Sequence, residues 1–77
     1  MGVIVYSTHS CPYCVMAKDF LAQNKISFEE IYVDDDYDKA EEMIQKSGQT
    51  GVPVLDINGK IIVGFNREAI KRSLGLK

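Results

Sequence analysis

The chain has 77 residues, a formal net charge of -2, and 45% hydrophobic against 26% charged residues, which is the balance of one small globular domain spanning 1–77. That charge excludes the basic footprint of a nucleic-acid binder, and no apolar run approaches the ~20 residues a membrane span needs. The start, Met1-Gly2-Val3-Ile4-Val5-Tyr6, has neither the basic flank nor the cleavage site of a signal peptide, so a cytoplasmic location is expected.

Val3-Ile4-Val5-Tyr6 is a short β-branched and aromatic run that reads as a strand covered on both faces. Thr8 to Ser10 form a polar loop. Tyr13, Met16, Ala17, Phe20 and Leu21 then fall on one helical stripe. Pro12 suits the first helical position, which puts Cys11 at the cap and Cys14 one turn in, and Asn24 is the expected stop. Ile26 to Val33 reads as a second strand carrying Phe28, Ile31 and Val33. The acidic residues Glu29, Glu30, Asp34, Asp35, Asp36 and Asp38 read as a solvated loop and helix start rather than a docking surface.

Asp38 and Glu41 have capping-box spacing; Ala40, Met43, Ile44 and Ser47 define the helix face that follows, and Gly48 closes it. After the Gln49-Thr50-Gly51 loop, Val52 to Ile57 is a strand, Asn58-Gly59 a type I′ hairpin turn, and Lys60 to Gly64 the return strand. Asn66 caps a last helix, with Phe65 and Ile70 placed as a hydrophobic staple; Leu74 continues its face and Gly75 ends it. The order βαβαββα predicts an α/β fold: a four-stranded mixed sheet flanked by three helices, its first βαβ unit parallel and right-handed.

The chemistry sits in Cys11-Pro12-Tyr13-Cys14. Two cysteines at this spacing in a cytosolic chain are reactive before they are structural. A thiol attacks only as thiolate, and the unpaired N–H groups and partial positive charge of a helix N-terminus favour that anion. Cys11 is therefore the expected nucleophile. Cys14, one turn further in and more buried, is the expected resolving thiol: it attacks the mixed disulfide on Cys11 and releases reduced product.

A structural disulfide closing so short a loop adds little stability. A zinc site needs four ligands, and beside this pair the chain has a single histidine, His9, so no metal is expected. His9 either stabilises the thiolate or is simply solvated. Tyr13 either lines the approach to Cys11 or packs. Pro53, inside an apparent strand, marks either an edge strand or a cis peptide after Val52 that frees the Val52 backbone to pair with an extended substrate.

Cys11-Pro12-Tyr13-Cys14 after a short strand, with Gly51-Val52-Pro53 and the Gly64 turn downstream, resembles a glutaredoxin over essentially the whole chain. The resemblance implies a thioredoxin fold, a cis-proline at Pro53, and Cys11 as nucleophile with Cys14 resolving. It also implies a substrate- or glutathione-binding set of Thr8, Tyr13, Thr50, Val52, Pro53, Gly64, Phe65 and Asn66, with no permanently bound cofactor. The implied partners of such a monomer are disulfide-containing proteins, with glutathione as co-substrate or a flavin-containing thioredoxin reductase as electron donor.

Two departures bear on that donor. Thr8 stands where glutathione-using members usually carry Lys or Arg. Val63-Gly64-Phe65-Asn66-Arg67 replaces the usual Gly-Gly, Cys or Ser, and acidic pair, which removes charge-assisted hydrogen bonds. Gly64-Phe65 resembles the redoxins that serve ribonucleotide reductase. An iron–sulfur carrier, with Cys11 ligating a shared cluster, is the alternative from a different class, and Pro12 counts against it because the cluster-binding relatives usually have a smaller residue there. A redox-controlled docking module without turnover is a third.

Overall fold

A computed structural model describes residues 2–75, so Met1, Leu76 and Lys77, the outermost positions of the expected 1–77 domain, lie outside it. The elements follow the expected order: β1 (Val3–Ser7), α1 (Pro12–Gln23), β2 (Glu29–Tyr32), α2 (Tyr37–Ser47), β3 (Val54–Ile57), β4 (Lys60–Val63) and α3 (Arg67–Leu74). They form one mixed sheet of order β2-β1-β3-β4. β1 runs parallel to β2, with Val5 opposite Glu30, and antiparallel to β3, with Val5 opposite Leu55. β4 returns antiparallel to β3 through Asn58 and Gly59, both at positive φ (54° and 91°), as an Asn-Gly hairpin turn requires.

The period-2 alternation of β1 and β3 splits the core between two faces. Val3, Val5, Leu55 and Ile57 pack with Ala17 and Leu21 of α1 and Ile70 of α3. Tyr6 and Val54 face the other way and pack with Met43 of α2. On that second face a polar network ties α2 to the sheet. Lys46 Nζ donates to Tyr6 Oη (2.7 Å) and Asp56 Oδ2 (2.8 Å), while Tyr6 Oη donates to Glu42. The Lys46 ammonium holds the Asp56 carboxyl below its usual range, and the two acceptors hold the ammonium above its own.

Four expectations are corrected. The apolar stripe of α1 is rotated: its buried residues are Cys14, Ala17 and Leu21, while Tyr13 and Met16 are exposed, because Cys14 itself takes the core position above the sheet. The second strand is only Glu29–Tyr32. Its upstream half wraps the end of α1, with Ile26 N bonded to Leu21 O at 2.9 Å and Lys25 at φ 59°, and pairing begins only where β1 is alongside. The cap of α2 is Asp36, two residues before Asp38; its side chain accepts from Asp38 N (3.0 Å) and Lys39 N (3.3 Å), so no capping box forms. The third strand starts at Val54 rather than Val52 and lies between β1 and β4, not at an edge; Pro53 precedes it through a cis Val52–Pro53 bond and breaks no ladder. Among the described residues, no helix is long and apolar enough to cross a membrane.

Candidate active site

The strand directions gather one set of chain segments at a single end of the sheet. β1 and β2 both finish there, β3 starts there and β4 ends there. The loop Thr8–Cys11, the turn after Tyr32, Val52–Pro53 and Gly64–Phe65 therefore share that end. A hydrogen bond from Gly64 N to Pro53 O (2.8 Å) fastens two of them together, and Gly64 needs its positive φ of 81° to make the turn.

Cys11 is the N-cap of α1, with extended backbone, and its Sγ accepts from Cys14 N at 3.2 Å. Pro12 sits in the first helical position and no acidic residue occupies the first turn, so nothing there offsets the partial positive charge of the free N–H groups. The two cysteines are disulfide-bonded, their Cα atoms 5.2 Å apart. Cys11 is half-buried whereas Cys14 is fully buried. One sulfur thus faces incoming molecules and the other is shielded beneath it. The helix terminus and the Cys14 N–H are the groups that face the Cys11 sulfur.

The remaining expected residues divide by what their side chains do. Tyr13 is 62% exposed and so does not pack, which leaves it free beside Cys11. Pro53 is buried and Val52 half-buried. Thr8 is half-buried at the end of β1 and Thr50 lies exposed in the loop after α2. Gln49 braces that loop: its amide accepts from Gly51 N (2.6 Å) and donates to Gly51 O (3.0 Å). Phe65 packs against the first core cluster and meets Phe20 edge-on, with centroids 6.2 Å apart. The amide oxygen of Asn66 caps α3 by accepting from Ala69 N at 3.1 Å. Arg67 lies over the Phe20 ring, 5.3 Å from its centroid.

His9 is more engaged than a solvated loop residue, although it stays exposed. Its ring stacks on Tyr32 with centroids 4.0 Å apart and 11° between planes. Its Nδ1 lies 3.0 Å from Asp34 Oδ2, which also accepts from the His9 backbone N–H at 3.1 Å. The hydrogen bond that the Asp34 carboxylate accepts from the His9 ring holds the pKa of His9 above its usual value and that of Asp34 below its own. This clamp ties the catalytic loop to the turn after β2. Alongside it, Lys18 pairs with Glu30 and lies 5.3 Å from the Tyr32 ring centroid. Sequence reasoning saw the acids and the histidine but not their pairing, which depends on the parallel register of β1 with β2.

The glutaredoxin family model matches residues 3–62. A glutaredoxin-like 8.6 kDa protein from the rubredoxin operon of Clostridium pasteurianum is 46% identical over 68 residues, covering 88% of this chain and 91% of that one. Glutaredoxin 3 of Escherichia coli K12 is 42% identical over 63 residues, covering 82% and 76%. Among solved structures, the glutaredoxin-like NrdH-redoxin of Escherichia coli superposes with a TM-score of 0.85 at 26% identity, covering 94% of this chain and 93% of that one.

Proposed function

The chain belongs to the glutaredoxin family and is a thiol–disulfide oxidoreductase of the thioredoxin superfamily, and on that premise we propose that it reduces protein disulfides by a two-cysteine route in which Cys11 captures and Cys14 resolves. The observation that carries the reading is the asymmetry of the pair: a half-buried sulfur capping an unneutralised helix N-terminus, and a fully buried one a turn behind it.

The Cys11 thiolate attacks one sulfur of the substrate disulfide and expels the other as thiolate. Cys14, deprotonated, then attacks Cys11 Sγ; the Cys11–Cys14 bond forms and the second substrate sulfur leaves as a thiolate that takes up a proton from water. The substrate gains two electrons and the pair loses two. The Val52 backbone beside Pro53 aligns the substrate chain as an added strand, and exposed Tyr13 covers it from the side.

For the reductant we infer a flavin-containing thioredoxin reductase ahead of glutathione. Thr8 brings no charge, the Asn66 side chain is committed to its cap and Phe65 packs on Phe20, so of these positions only the exposed Arg67, which lies over the Phe20 ring, offers a charge to a free tripeptide. The thioredoxin-like activity profile ascribed to the NrdH-redoxin supports the same direction. The protein works as a monomer in the cytoplasm and needs no resident cofactor.

Cys11→Ser abolishes turnover, and Cys14→Ser accumulates a mixed disulfide with a protein substrate, detected by mass under non-reducing conditions. Full disulfide reductase activity in Cys11→Ser overturns the roles. A side-by-side NADPH-driven assay, with thioredoxin reductase and with glutathione plus its reductase, tests the donor; efficient coupling to glutathione alone refutes that part.

A further inference from the structure

Ser7 ends β1, is fully buried, and its hydroxyl has no hydrogen-bond partner among the described residues. An unpaired buried hydroxyl is costly, and this one lies four residues before Cys11. Its direction follows from the alternation of β1: Val3 and Val5 pack toward Ala17 and Leu21, so Ser7, next in that series, faces α1 as well. Because β1 and β2 are parallel, α1 must run back antiparallel over β1. The sequence Leu21, Ala17, Cys14 along the helix therefore advances toward the same end as Val3, Val5, Ser7 along the strand. This places the Ser7 hydroxyl on the sheet face beneath Cys14, whose side chain is likewise fully buried.

We propose that Ser7 is the hydrogen-bond donor to the sulfur of Cys14 when the disulfide is open, a bond that is absent in the disulfide form and made in the dithiol form. The idea rests on Cys14 being the resolving thiol. A disulfide sulfur is a weak acceptor, whereas a thiolate draws a strong, charge-assisted hydrogen bond. The unpartnered hydroxyl of the oxidised protein is then a group waiting for the reduced one. It does two things: it holds the buried sulfur as an anion at the moment of attack on the mixed disulfide, and it shifts the pair toward the dithiol form. In that attack Cys14 Sγ bonds to Cys11 Sγ, the bond from Cys11 to the substrate breaks, and the electron pair leaves on the substrate sulfur.

The test compares Ser7→Thr with Ser7→Val, which differ only by hydroxyl against methyl, with Ser7→Ala as a smaller control should the branched pair strain the site. Equilibration against dithiothreitol above the ionisation of Cys14, where its thiolate is the populated form, shifts about tenfold toward the disulfide in Val and Ala but not in Thr, which is about 30 mV for a two-electron couple. Single-turnover release from a preformed mixed disulfide slows about threefold at pH 7 in Val and Ala. A tenfold loss of thiolate is partly repaid by higher nucleophilicity, the Brønsted coefficient being roughly 0.4–0.5. Above the ionisation of Cys14 the order inverts, and the variants without the hydroxyl become the faster ones. A purely structural hydroxyl predicts equal potentials and parallel pH profiles. Potentials for Thr and Val within twofold in equilibrium constant above the ionisation of Cys14, or profiles that never cross, overturn the proposal. The resolving role of Cys14 is read separately: full turnover of protein disulfides by Cys14→Ser removes that role, whatever Ser7 does.

Discussion

Lys46→Met isolates the contact by which α2 is pinned to the sheet. Methionine keeps the length of the side chain and loses only the ammonium, which bonds Tyr6 Oη at 2.7 Å and Asp56 Oδ2 at 2.8 Å. A hydrogen bond to a charged group is worth about 1.5–3 kcal/mol net. The Lys46 side chain is 30% exposed and that of Asp56 only 13%, so water replaces part of the loss on one side and little on the other. Tyr6 still donates to Glu42, and Asp56 still accepts from Gly59 N at 2.8 Å, which leaves the lower half of the range: about 2 kcal/mol, or roughly 10 °C in a domain of this size.

The pH dependence carries a sign. Asp56 is depressed in the folded state, so its contribution is present above the unfolded carboxyl value of about 3.9 and is lost as pH falls through the folded value. Lys46 is raised, so its contribution is present below about 10.4 and is lost as pH climbs through the folded value. The gap between wild type and Lys46→Met should be flat across neutral pH and close toward both extremes. Urea unfolding in a double-mutant cycle with Asp56→Asn reads the pair directly. A coupling below about 0.5 kcal/mol at pH 7, the range of an exposed ion pair, or a gap that stays constant down to pH 2, refutes the reasoning.

Other outcomes follow from the site. His9→Gln removes a group whose ionisation is raised by Asp34; the stabilisation is present below the unfolded value of about 6.5 and is lost as pH rises through the folded one, so the slope of stability against pH near neutrality should flatten in the variant, as thermal melts across pH 5–9 would reveal. Tyr13→Ala, at a residue 62% exposed, should raise KM for a protein substrate severalfold with no change in Tm; an unaltered KM would mean the ring plays no part in docking. Gly64→Ala forces a side chain onto φ 81° at a cost of about 1–2 kcal/mol, and because Gly64 N bonds Pro53 O, kcat/KM should fall along with stability.

What could be read from the residues, and what could not, separates by the range of the interaction. The Cys11 cap with Pro12 behind it, the Asn58-Gly59 turn, the Asn66 cap, and the stops at Gly48 and Gly75 are each decided within a few residues, and each stands where the pattern put it. The misplaced stripe of α1 has a different origin. The stripe drawn through Tyr13 and Met16 leaves out Cys14, although Cys14 is expected to be the more buried thiol; free cysteine is among the most buried residue types, and counting it with the apolar positions turns the stripe to the observed face. Here one residue is both core and reagent.

Pro53 shows the limit from the other side. Its neighbours allowed either an edge strand or a cis bond, and the resemblance alone implied the cis bond; the sheet order, with β3 between β1 and β4, excludes the edge, and the Val52–Pro53 bond is cis. The surroundings of His9 and Ser7 are set by the same long-range register. Asp34 reaches His9 because β2 ends level with β1, and Ser7 shares the strand face of Val3 and Val5, the face on which α1 packs. The reactive pair was legible because its chemistry is local. The groups that tune it were not, because they come from elements that only the sheet brings side by side, and it is on those neighbours that redoxins sharing one Cys-X-X-Cys motif can differ in potential and partner.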